Sequence, residues 1–175
     1  MKKFIYSSLI LACFLAQSGL ALTSDKQLPA NFTADNVTYN IKTGTRIFIG
    51  NVKMTQGTTH LEGDKVTVYN GSDGKVIKVI ALGKRAHYST LPNNQKEVMD
   101  AYAETIEYYP GKGSAVLIGN GEITQGKNSF KGPHIVYDIQ KELITSLASA
   151  NAHTVIVLQP KDLPGGNSLD KKATQ

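Results

Sequence analysis

The sequence predicts an all-β domain built from two tandem repeats of antiparallel strands. Apolar and polar residues alternate at period two through most of the chain, and no segment after residue 22 carries the 3.6-residue period of an amphipathic helix. Turn-forming residues interrupt the alternation about every 8 to 12 residues, the rhythm of a domain made of short strands. The stretch Ala34 to Val68 also returns as Ala103 to Tyr137 with ten identical positions, each 69 residues on. Ile49-Gly50-Asn51 becomes Ile118-Gly119-Asn120, Thr55-Gln56-Gly57 becomes Thr124-Gln125-Gly126, and Ala34, Tyr39, Gly44 and Gly63 match Ala103, Tyr108, Gly113 and Gly132. After a slip, Ala86-His87 returns as Ala152-His153, 66 residues on. A supersecondary unit used twice is expected to share one continuous core.

Residues 1–21 read as a signal peptide. Lys2 and Lys3 precede an apolar run from Phe4 to Leu15, and Gly19 and Ala21 are the small residues a signal peptidase reads. The run is shorter than the roughly 20 residues a spanning helix needs. Ile10-Leu11-Ala12-Cys13 loosely resembles a lipoprotein cleavage box, but cleavage there would leave Phe14 and Leu15 behind the site; cleavage after Ala21 is expected instead. The mature chain would then lack cysteine and depend on burial and backbone pairing in an oxidising compartment. Losing Lys2 and Lys3 lowers the formal net charge from +5 to +3, too mild and scattered to argue for nucleic acid.

Residues 22–160 form the domain, with repeat copies at about 34–90 and 103–158. Val37, Tyr39 and Ile41 alternate first, then Ile47 and Ile49, Val66 and Val68, Ile77 and Val79. The second copy repeats the pattern with Ile106 and Tyr108, Val116 and Ile118, Ile135 and Tyr137, and Val155 and Val157. Gly50-Asn51 and Gly119-Asn120 fall inside strand-like runs, where glycine marks a bulge or bend. Because Ile47 and Ile49 are followed by Val52 and Met54, the alternation is expected to shift there and the sheet to curl. Leu163 to Gln175 reads as part of a flexible tail over 161–175.

Catalytic and metal chemistry find little support. Gly121 to Lys127, GEITQGK, only approximates a phosphate-binding loop, since Asn128 stands where Ser or Thr is required and no helix follows. His60, His87, His134 and His153 lack close ligand spacing, and no nucleophile elbow or short paired-carboxylate motif is present. No enzyme activity, metal or cofactor is expected. What remains is apolar inward faces on a curled sheet, which either fill a core or leave an apolar groove open at its ends.

The pattern Ala34-Asp35-Asn36-Val37-x-Tyr39, then Ile49 to Gly57, then Leu61-Glu62-Gly63-Asp64-Lys65-Val66, resembles the LptA/OstA family of periplasmic lipopolysaccharide-transport proteins. Ile118 to Gly126 and Phe130-Lys131-Gly132 look like the same element again, and the likeness covers about residues 29 to 158. The second copy departs from it at Pro133-His134, which puts local pairing in doubt because proline removes a ladder donor. The resemblance implies a twisted, slightly open β-jellyroll that carries lipopolysaccharide from inner to outer membrane. It implies an LptC-like inner-membrane partner at the N-terminal edge, an LptD-like outer-membrane partner at the C-terminal edge, and head-to-tail association of copies. The alternative is a secreted structural or adhesive β-repeat module with a filled core.

Alternation, repeat and likeness together assign the groove that holds the lipid A part to Phe32, Val37, Tyr39, Ile47, Ile49, Val66, Val68, Tyr88, Ile106, Tyr108, Val116, Ile118, Phe130, Ile135 and Tyr137. The partner-pairing edges are expected at Ala30, Asn31, Phe32, Thr33 and Ala34, and at His153, Thr154, Val155, Ile156, Val157 and Leu158. The second segment has no charge and no proline to block another strand.

Overall fold

The computed structural model describes residues 25–92, 96–147 and 152–160. The expected signal peptide and tail lie outside the described residues. Ten antiparallel strands follow a 3-10 turn at Asp25–Gln27: β1 (Asn31–Thr33), β2 (Asn36–Asn40), β3 (Thr45–Gln56), β4 (Thr59–Asn70), β5 (Val76–Thr90), β6 (Met99–Tyr109), β7 (Ser114–Gln125), β8 (Asn128–Asp138), β9 (Leu143–Leu147) and β10 (Val155–Val157). β3 to β8 form a meander in chain order. β1 and β2 both pair with the free side of β3, and β9 and β10 both pair with the free side of β8. Each end of the sheet is therefore a strand broken in two.

The sheet folds along one line. Pairing slips between Ile49 and Val52 on β3, Glu62 and Lys65 on β4, Leu82 and Ala86 on β5, Tyr102 and Thr105 on β6, and Ile118 and Gly121 on β7. Neighbouring strands slip at neighbouring positions, so the bulges align into a crease and every long strand contributes to two layers. Phe32 in one layer stacks on Phe48 in the other at 4.5 Å between ring centroids. The result is the open β-jellyroll that was expected, with its core between the layers and most tightly packed beside the crease, where Val52, Val66, Leu117 and Ile135 are fully buried.

The repeated Gly-Asn pair makes the bulge on β3 and β7. Gly50 and Gly119 have φ of +80° and +76°, and Asn51 and Asn120 follow at +47° and +51°. The asparagine then holds the crease from the side: Asn51 Nδ2 donates to Asp35 Oδ2 at 2.9 Å, and Asn120 Nδ2 donates to Glu104 Oε1 at 2.7 Å. Two left-handed residues in a row are stabilised by that bond at the same place in each copy. Pro133 falls between the pairs Ile118–His134 and Gly121–Gly132, where no β7 residue is its partner. β8 is thus continuous past the proline. GEITQGK forms the β7–β8 hairpin.

The repeat is clearer in the pairing than in the letters. β1 and β2 meet β3 in the register in which β6 meets β7, 69 residues on: Phe32–Met54 corresponds to Ala101–Ile123, and Val37–Phe48 to Ile106–Leu117. β9 and β10 are in turn the counterpart of β5. Leu82 opposite Lys65 corresponds to Leu147 opposite His134, and His87 opposite Glu62 to Val155 opposite Lys131. Those offsets are 65 and 68, so the Ala-His match at 66 is not a structural equivalence. Each copy is a four-strand meander, and the β5–β6 contact is the junction between copies.

Candidate functional site

Inward rows of side chains cross the whole sheet. In one layer the register runs Val37, Phe48, Val66, Ala81, Ile106, Leu117, Ile135, Ser146. In the other it runs Phe32, Met54, Leu61, Tyr88, Ala101, Ile123, Phe130, Ile156. Away from the crease the layers part, leaving a cavity of about 210 Å³ lined by Met54, Leu61, Val79, Tyr88, Met99, Ile106, Tyr108, Tyr137 and Ile139, with Thr59, Thr90, Asp25 and Glu142 at its rim. A second, of about 260 Å³, continues toward Ile123, Phe130, Ile144, Ile156 and Leu158. Pro92, Met99, Tyr137 and Glu142 border both, so the two are neighbouring parts of one groove. Burial pushes the hydroxyls of Tyr88, Tyr108 and Tyr137 above the ordinary phenol value.

Of the residues expected to line a groove, Phe32, Val66, Val68, Tyr88, Ile106, Tyr108, Phe130, Ile135 and Tyr137 lie in or pack against the inward core. Val37 and Tyr39 stand opposite Phe48 and Arg46, on the inward side, but at the uncovered N-terminal edge they are 58% and 50% exposed. Ile47, Ile49, Val116 and Ile118 point outward, a correction of the expected face. Their partners in register are Thr67, Lys65, Val136 and His134, and Ile49 and Ile118 are 46% and 39% exposed. Phe48, Ala115 and Leu117 take the inward places.

The physical reason is the Gly-Asn bulge. The inward set keeps its parity across it, from Phe48 to Val52 and Met54 on β3 and from Leu117 to Ile123 on β7, and it changes parity instead on β4, β5, β6 and β8. Ile47-Phe48-Ile49 is apolar on both faces, so alternation could not choose between them. The one hint in the sequence was the size of Phe48, the largest side chain of the three.

The expected edge segments do form sheet edges, and each is longer than expected. β2 extends the N-terminal edge and β9 the C-terminal one, and the sequence reading assigned neither of them to an edge. Val155, Ile156 and Val157 are each about half exposed. On the outer surface a polar row runs Thr33, Lys53, Glu62, His87, Tyr102, Glu122, Lys131, Val155. Within it Glu122 pairs with Lys131 at 2.9 Å and reaches Arg85 at 2.7 Å, while Arg85 covers the Tyr102 ring at 4.3 Å. Hydrogen bonds from Lys131 and Arg85 hold the Glu122 carboxyl below its usual value. His87 stacks on Tyr102 and bonds Asp100 at 2.8 Å. Among the described residues no cluster of three or more His, Cys, Asp or Glu could hold a metal ion.

An open antiparallel jellyroll with an apolar groove leading toward an exposed edge strand defines the class of molecule. The chain belongs to the family described as LptA/(LptD N-terminal domain) LPS transport protein, whose profile matches residues 31–143. It is 34% identical to the lipopolysaccharide export system protein LptH of Pseudomonas aeruginosa, over 81% of this chain and 85% of that one. It is 28% identical to the lipopolysaccharide export system protein LptA of Escherichia coli, over 96% and 92%. The crystal structure of LptH, described as the LptA-homologous periplasmic component of the lipopolysaccharide transport device, superposes with a TM-score of 0.72 at 31% identity, covering 78% of this chain and 99% of that one.

Proposed function

We propose that the protein is a periplasmic carrier that shelters the lipid A chains of lipopolysaccharide in its groove and works in series with other β-jellyrolls joined at its two edges. The groove that follows the inward rows toward the exposed β10 edge carries this reading. One acyl chain of about a dozen carbons exposed to water costs on the order of 10 kcal/mol, at about 0.8 kcal/mol per methylene. A soluble carrier must therefore keep every chain covered throughout, and a groove continued from protein to protein does so. The names of the relatives support lipopolysaccharide as the cargo. The broken edge β1/β2 would take an LptC-like inner-membrane partner, and β9/β10 an LptD-like outer-membrane partner or the next copy.

The β5–β6 junction supplies a template for the joint between copies. β9/β10 is the counterpart of β5, and β1/β2 of β6, so Val79–Tyr108 predicts Ile144 opposite Tyr39 of the next copy. Likewise His87–Tyr102 predicts Val155 opposite Thr33, and Tyr88–Ala101 predicts Ile156 opposite Phe32. Paired so, inward rows meet inward rows.

A photo-crosslinking amino acid at Tyr108 or Phe130 should capture lipopolysaccharide in cells, and one at Ile49, Ile118 or Lys53 should not. Equal capture on both faces, or none on either, would leave the filled-core module as the better reading.

A further inference from the structure

We propose that Arg46 anchors a site for the phosphate monoester of the amphiphile whose chains lie in the groove. This rests on the carrier reading and adds to it a place for the headgroup. Arg46 lies opposite Val68 and Tyr39, in the inward row nearest the open mouth, at the N-terminal corner. Among the residues that form the inward rows of the described strands it is the one lysine or arginine. A cation on a mainly apolar inward face, one strand from Val79 and Tyr108 of the groove through Val68, calls for a charged partner.

The protein itself does not supply one. No carboxylate of the described residues pairs with Arg46, although seven other ion pairs form. Its Nη1 donates to Asn70 Oδ1 at 2.7 Å, and its guanidinium packs over the Tyr39 ring at 4.6 Å. The group is thereby held in place with one of its five donors used. Asn70 is fixed in turn by donating from Nδ2 to the Gly74 carbonyl at 2.5 Å. The guanidinium borders a polar cavity of about 310 Å³ formed by the β2–β3 and β4–β5 turns, with Lys42, Thr43, Ser72, Gly44, Gly71 and Gly74 around it. The acidic side chain in the β4–β5 turn, Asp73, is engaged by Lys75: its Oδ1 accepts from the Lys75 amide at 3.1 Å and its Oδ2 pairs with Lys75 Nζ at 3.4 Å.

A preoriented guanidinium, with Lys42 and Ser72 lining the same polar cavity, matches a phosphate, whose oxygens accept paired N–H donors from arginine. A headgroup seated there would leave its chains on the adjoining inward rows. The neighbouring copy in the joint described above would bring Ile144 against Tyr39, so the site lies where cargo would cross from one protein to the next.

The test measures binding of the mature protein to bisphosphorylated lipid A and to the same lipid after phosphatase treatment, with and without inorganic phosphate, for wild type, R46Q and R46K. The expected result is that R46Q weakens binding of the phosphorylated lipid by about tenfold or more. R46Q should leave the dephosphorylated lipid unaffected, and R46K should recover part of the loss. Inorganic phosphate should compete only against the phosphorylated form. An equal loss for both lipids would make Arg46 a shaping residue, and no loss for either would make it a bystander; both overturn the proposal while leaving the carrier reading intact. Saturation by inorganic phosphate without any effect on lipid binding would assign the site to a free anion. Failure of wild type to bind either lipid would remove the carrier reading and this proposal with it.

Discussion

A pair of cysteines tests the joint between copies residue by residue. Replacing Thr33 and Val155 with cysteine places one thiol on each edge, at the positions that correspond to Tyr102 and His87 of the internal junction. Directly opposed residues of an antiparallel pair have Cα atoms about 4.5 to 5.5 Å apart, within the roughly 4.4 to 6.8 Å that a disulfide spans. A diagonal pair two residues out of register sits at about 7 to 8 Å and does not close. The Thr33/Val155 double variant should therefore form disulfide-linked ladders under mild oxidation, and the Asn31/Val155 double variant should not. Trapping is the right assay because an association of this kind would be weak. Val155, Ile156, Val157 and Leu158 are each about half exposed. Covering what remains yields on the order of 1 kcal/mol apiece, since full burial yields about 1.5 to 3 kcal/mol. A few net ladder hydrogen bonds add about 1 kcal/mol each. Against an orientational cost of about 4 to 15 kcal/mol, that sum of roughly 8 kcal/mol leaves about 4 kcal/mol at most, which is millimolar affinity at best. Equal cross-linking of the off-register pair, or none from the in-register pair at high concentration, would refute the internal template.

The inward face is open to a stability test. Leu117→Ala, at a residue 1% exposed, should cost about 2 to 5 kcal/mol in denaturant unfolding, while Ile118→Ala next to it should cost less than about 1 kcal/mol; the reverse order would restore the opposite face. Gly119→Ala should cost about 1 to 3 kcal/mol, because φ is +76° and an added Cβ would lie 2.6 Å from Glu104 Oε2; an unchanged denaturation midpoint would show that the bulge tolerates a side chain. Glu122 has its folded pKa lowered by Lys131 and Arg85, so its contribution is present above the unfolded carboxylate value of about 4.3 and is lost as pH falls through the lower folded value. Glu122→Gln should therefore be less stable than wild type at about pH 7, and the two should converge at about pH 2; a gap that does not change with pH would mean that packing, not charge, is lost.

Much of the architecture was legible because the physics that sets it is local. Period-two alternation and turn chemistry marked β3 to β8, and the Gly-Asn pair marked the crease on β3 and β7. The direction of the alternation across the crease was not legible. Gly50 and Asn51 take up the bend with two left-handed residues, so Phe48, Val52 and Met54 share a face, and that choice depends on which strand lies opposite. β9 was missed for a related reason: Leu143-Ile144-Thr145-Ser146-Leu147 is short and partly polar, and it becomes a strand by pairing with β8. Arg46 stood out in no sequence pattern, since a lone arginine in a strand gains meaning only when its register puts it on the inward face.

The groove is not uniform along its length, and the difference follows from which copy supplies each strand. At the junction between copies β5 and β6 bring Ala81, Ala86, Ala101 and Ala103 to the inward side, all buried and all small. At the N-terminal edge the counterparts of Ala101 and Ile106 are Phe32 and Val37, and Phe32 stacks face to face on Phe48 across the two layers. The same backbone position thus carries alanine where the strand is paired on both sides and phenylalanine where it is the edge. An edge that lacks its neighbour exposes the core at its end, and an aromatic pair there adds about 0.5 to 1.5 kcal/mol beyond the area it covers. That contact packs the two layers together at the free end of the first copy. In the joint built on the β5–β6 template, Ile156 of the neighbouring copy would lie directly beside Phe32 and take over the covering role.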